Sequence, residues 1–114
     1  MPITAKEWER FYDLRTRLFR LIETVDDGYH KSYEGAVDLT ISFPDVFESE
    51  YNAKLPPEYY TLTVHCYLLI NGRHEDFKGE TFAECLDKFE KALSNWAKEW
   101  EEELIEYRER KKQL

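Results

Sequence analysis

Apolar residues recur along the chain at two different periods, and these periods define its elements. Trp8, Phe11, Tyr12, Leu18, Phe19, Ile22 and Val25 fall at helical spacing, while Lys6, Arg10, Asp13 and Arg17 fill the other faces. Thr4-Ala5-Lys6-Glu7 forms a capping box in front of them. There the threonine hydroxyl accepts from the amide three residues on and the glutamate reaches back. Asp26-Asp27-Gly28 ends the helix, because glycine suits the left-handed position after the last turn. Residues 36–43 then alternate, with Val37, Leu39, Ile41 and Phe43 on one side and Asp38, Thr40 and Ser42 on the other. That period of two predicts a half-buried strand, stopped by Pro44.

Residues 59–70 predict a second strand. Tyr60, Leu62, Val64, Cys66, Leu68 and Ile70 line one face, and Tyr59, Thr61, Thr63, His65, Tyr67 and Leu69 the other. Asn71-Gly72 is a strong signal for a two-residue hairpin turn, which needs positive φ at both positions. The register that follows pairs Ile70 with Arg73, Tyr67 with Asp76 and Cys66 with Phe77. A second capping box, Thr81-Phe82-Ala83-Glu84, opens a stripe of Phe82, Leu86, Phe89, Leu93, Trp96, Trp100, Leu104 and Tyr107 at steps of three and four. Such a helix is longer than a small sheet can cover. Its far half from Trp96 therefore lies on the first helix, on another subunit or on a partner, or else the helix breaks near Ser94-Asn95. The expected fold is α+β, α-β-β-β-α: one domain over 1–114, a three-stranded antiparallel sheet, helices on one face and a long C-terminal helix.

Composition narrows the function classes. The chain has 114 residues, 42% hydrophobic and 16% aromatic, enough apolar material for one core. No run approaches the roughly 18 apolar residues of a membrane span. The start, Met1-Pro2-Ile3-Thr4, does not read as a signal peptide, so a soluble cytoplasmic protein is expected. Net charge is −8, which argues against direct contact with nucleic acid or an anionic membrane and suits a basic protein surface. The excess is concentrated. Residues 34–76 hold eight acids against Lys54 and Arg73, and residues 99–109 hold six acids against Arg108. Acid as a device for solubility is the plainer alternative.

Candidate chemistry is sparse. Cys66 and Cys85 sit in different elements and are expected to be reduced core residues. With His30, His65 and His74 they make no zinc-ligand spacing, so neither a metal nor a cofactor is expected. Four glycines leave little for a phosphate cradle. His65, Tyr67, His74 and Asp76 share the polar face of the hairpin, where acid–base work and an ordinary solvated face are both open readings. Tyr59 and Tyr67 beside Thr61, Thr63 and Leu69 resemble a binding platform, but a nucleic-acid surface also needs lysines and arginines around it, and this face offers mostly Asp38, Asp76 and Lys78. The run from Glu99 to Tyr107 is either the solvated side of an amphipathic helix or a rigid row of carboxylates offered to a basic groove.

The hairpin Leu69-Ile70-Asn71-Gly72, the capped helix start, Phe89, Trp96, Glu99 and the glutamate run together resemble small phage anti-CRISPR proteins that inhibit a type II CRISPR nuclease. The resemblance covers residues 67–107 and extends to the α-β-β-β-α order. The longer first helix and the 44–57 connection depart from it. It implies a non-enzymatic DNA mimic, with acidic residues occupying the nuclease's basic site. A second similarity, to HicB-type antitoxins, rests on Gly79-Glu80-Thr81-Phe82 at a strand-to-helix junction. The expectation is therefore an acidic inhibitor with no catalytic residues. Partner contacts are expected from Glu99, Glu101, Glu102, Glu103, Glu106, Asp45, Glu48, Glu50, Tyr67 and Asp76. A homodimeric interaction subunit, an antitoxin, and a small enzyme using His65 and His74 are the rivals.

Overall fold

The computed structural model describes residues 3–25, 37–44, 59–67 and 72–113. Among these the order is α1 (Ala5–Val25), β1 (Val37–Ser42), β2 (Tyr60–Cys66), β3 (Arg73–Gly79) and α2 (Phe82–Lys112). The strands form one antiparallel sheet in the order β1-β2-β3, so the expected α+β, α-β-β-β-α fold is the observed one. The Gly28 helix stop and the residues from Leu68 to Asn71 lie outside the described residues.

Both capping boxes form. Thr4 Oγ1 accepts from Glu7 N at 3.1 Å, and Glu7 Oε1 accepts from Thr4 N at 3.1 Å. At α2 the Thr81 hydroxyl accepts from Glu84 N at 3.2 Å, whereas Glu84 Oε2 reaches one residue further back, to Glu80 N at 3.0 Å. That reach brings Glu84 over Gly79, the buried last residue of β3. A Cβ built on Gly79 would stand 2.5 Å from Glu84 Cβ and 2.9 Å from Thr81 O. Backbone and cap would both have to move. Gly79→Ala is therefore expected to cost about 1–3 kcal/mol. Urea unfolding of the two proteins measures it.

The strand patterns hold in their alternation and fail in register. In β2, Tyr60, Leu62, Val64 and Cys66 are buried and the residues between them are half-exposed. In β1, Val37 is buried and Leu39 and Ile41 partly so, but Phe43 is 54% exposed, beyond the end of the strand. The expected pairing of Cys66 with Phe77 is wrong. Phe77 pairs with Leu62, Asp76 with Thr63, His74 with His65 and Arg73 with Cys66. The slip is four residues, an even number, so every side chain keeps its face. With Cys66 opposite Arg73, six residues lie between the last described pair of β2 and β3, so Asn71-Gly72 is not the two-residue link that the sequence predicted.

Helix α2 is one continuous helix of 31 residues, about 46 Å long, with no break at Ser94-Asn95. It runs along a molecule of 57 × 31 × 24 Å. Its N-terminal half packs Phe82, Phe89 and Trp96 against Tyr60 and Phe77 of the sheet. Helix α1 lies along α2 in the same direction. Arg10 pairs with Asp87 and Glu90, and one turn pair later Arg17 donates to Ser94 Oγ. Phe11 and Trp8 meet Phe82, and Arg15 and Phe19 flank Val37 and Leu39 of β1, so both helices cover the same face of the sheet. Leu14 joins the buried side of α1, a position the apolar stripe had passed over, while Tyr12 is 56% exposed. Trp96, Trp100 and Leu104 are 3%, 0% and 7% exposed, so the far half of the stripe is covered within a single chain as far as Leu104.

Candidate binding surface

The residues expected to form one acidic surface fall into two, on opposite sides of the sheet. Asp45, Glu48 and Glu50 lie outside the described residues. Tyr67 and Asp76 belong to the open face, away from the helices. The register separates them, because Asp76 lies opposite Thr63 and not Tyr67. Asp76 Oδ1 accepts from Thr63 Oγ1 at 2.7 Å, and Tyr67 packs its ring on His65, 4.1 Å between centroids.

On α2 the glutamates divide by flank, because each residue advances about 100° around the axis. Glu99 and Glu103 face the sheet end, where Arg73 Nη2 donates to Glu99 Oε2 at 2.8 Å and to Glu103 Oε1 at 3.1 Å. The same guanidinium lies 5.5 Å from the Trp100 ring centroid. Burial alone would lower the Arg73 pKa. Its hydrogen bonds and attraction to Glu99 and Glu103 outweigh that and raise it, so the charge is permanent. Glu103 Oε2 is buried without a hydrogen-bond partner among the described residues. These two carboxylates are thus tied to the fold through Arg73. Glu101 sits on the other flank with Lys98 and Ile105, the side on which α1 packs.

Three acids remain on the solvent face. Glu102, Glu106 and Glu109 are exposed, follow one another at steps of four and three, and form no ion pair among the described residues. They stand near the end of α2, past Trp100, where burial stops at Leu104. The last turn, with Arg110, Lys111 and Lys112, complements the helix dipole. Two residues were missed by the reading of the sequence. Glu109 continues the Glu102–Glu106 spacing and was legible. Arg73 was half legible: alternation places it on the same face as Phe77, towards α2, but its partners depended on the register.

The cysteines are both buried and unpaired. Burial pushes the Cys66 thiol up to about 12, with nearby Arg73 opposing it, and burial also raises Cys85, whose Sγ donates to Tyr60 O. A thiol this protonated and enclosed is a poor nucleophile. Native protein is expected to resist Ellman's reagent at pH 8 and to react at both sites once unfolded. The sign for stability follows from the same shift. The Cys66 contribution is complete below pH 9, where the unfolded chain also keeps its proton, and is lost as pH rises towards 12.

Among the described residues no group of three or more His, Cys, Asp or Glu could hold a metal ion, and no helix is long and apolar enough to cross a membrane. The chain matches no protein-family model, no curated protein and no solved structure.

Proposed function

We propose that this chain is a non-enzymatic binding protein that docks the solvent face of α2 on a basic surface of a partner protein. The observation behind the reading is the Glu102-Glu106-Glu109 row: exposed, unpaired among the described residues, and fixed on a helix whose opposite side is anchored by Trp96, Trp100 and Leu104. A rigid carboxylate row binds without first losing side-chain and backbone freedom at the helix itself, which favours association. Its field also steers a basic partner in, at a rate that falls with salt.

The finer form of this reading is nucleic-acid mimicry by a phage or mobile-element inhibitor, with a type II CRISPR nuclease as the partner. It rests on the resemblance of residues 67–107, and α2 supplies a continuous acidic helix of the kind that resemblance calls for. A homodimer is less favoured, because the stripe that had suggested one is already covered by the chain's own α1 and sheet as far as Leu104. The test is capture of the partner from host lysate on immobilised protein, then a salt titration of the captured complex. For the finer reading, the purified nuclease is assayed for DNA binding with and without the chain. A partner without a basic surface, or one held equally well at high salt, excludes the docking mode.

A further inference from the structure

We propose that His65 and His74 form a two-imidazole site for a borderline transition-metal ion (Zn2+, Ni2+ or Cu2+) on the open face of the sheet. The two residues are direct cross-strand partners, and their rings stack 4.5 Å apart at an interplanar angle of 10°. Imidazole nitrogen is a preferred ligand for these ions. Metal–nitrogen bonds of about 2.0–2.1 Å put two adjacent ligand nitrogens roughly 3 Å apart. Near-parallel rings direct their nitrogens side by side, so to share one ion the planes must splay out of their stack until two nitrogens converge.

The surroundings permit that movement. His74 is exposed, and His65 and His74 border an open hollow of about 400 Å3 with Tyr67, Gly72 and Arg73. Tyr67 packs its ring on His65 and holds it in place, so the exposed His74 is the ring that swings. Asp38 lies opposite His65 on β1, the position from which a carboxylate can orient a ligand imidazole through its second nitrogen. Cys66 is turned into the core, and Asp76 is engaged by Thr63. The described residues thus supply two imidazoles and no third strong ligand, and water completes the coordination. Such a site holds its ion in exchange with solution, in the manner of a surface bridge, and not as a structural zinc.

The experiment is NMR of the full chain in a non-chelating buffer, titrated with ZnCl2 and separately with NiCl2. The expected result is one-to-one binding. Zn2+ should shift the His65 and His74 imidazole signals and remove the ring-current shift of the stack, while Ni2+ broadens the amides of residues 65, 67 and 74. His65→Asn and His74→Asn should each weaken Zn2+ binding at least about tenfold, and His30→Asn should leave it unchanged. His74→Gln, at an exposed position, provides the same test if a β2 substitution perturbs the fold. Loss of binding in His30→Asn alone, metal-induced shifts centred on the α2 glutamates, or a dissociation constant above about 1 mM would overturn the proposal.

Discussion

Trp100→Ala is expected to destabilise the protein by about 3–5 kcal/mol, and Trp96→Ala by a similar amount. Trp100 has no exposed surface, packs against Trp96 at 5.6 Å between centroids and carries the Arg73 guanidinium near its ring. Removing the indole leaves a cavity under a charge cluster. It also frees Arg73 from the ring that helps aim it at Glu99 and Glu103. The melting temperature should fall by more than about 10 °C, given several degrees per kcal/mol in a domain of this size. Ile105→Ala is the control on the same helix. Ile105 is 52% exposed, so its loss should change stability by less than about 0.5 kcal/mol. An unchanged melting temperature for both tryptophan variants would mean that the far half of α2 is not packed in solution. The docking surface would then be an unanchored helix.

What the sequence showed and what it hid have separate physical origins. Periodicity reports which face a residue takes, and it was reliable for β2, where Tyr60, Leu62, Val64 and Cys66 are all buried. It reports less about where a face ends. Phe43 continues the alternation of β1 yet lies past the last ladder pair, Ser42 with Thr61. The register was lost at one dipeptide. Asn71-Gly72 can close a tight turn, but the choice among turns is made by packing across the sheet. Pairing Phe77 with Leu62 aligns both beneath α2, and Phe77 packs against Phe89 at 5.6 Å between centroids. A local turn preference of a kcal/mol or so cannot oppose burial of that aromatic cluster. The same shift carried Arg73 opposite Cys66 and so within reach of Glu99 and Glu103, which converted two of the five proposed contact glutamates on α2 into structural ones.

That division makes the charge-reversal experiment selective. Glu102→Lys with Glu106→Lys should abolish partner binding while leaving the melting temperature nearly unchanged. Both side chains are exposed and form no ion pair among the described residues, and such surface charges contribute about 0–1 kcal/mol each to stability. Glu101→Lys, on the α1 flank, should have a smaller effect on binding. Glu99→Lys with Glu103→Lys should instead unsettle the fold, because it sets two cations against Arg73, whose side chain is only 18% exposed. If the row faces a basic groove, two reversals replace attractions with repulsions across an interface. Close charge pairs of this kind couple by about 1.5–7 kcal/mol each, so affinity should fall by at least a hundredfold. The measurement is binding of the captured partner at low and high salt, with circular dichroism melts of each variant alongside. Equal loss of binding in the Glu101 and Glu102/Glu106 variants would assign the effect to net charge and not to a docked row. Undiminished binding in the Glu102/Glu106 variant would move the contact off α2 altogether, leaving the open sheet face around Tyr59, His65 and Tyr67 as the surface to mutate next.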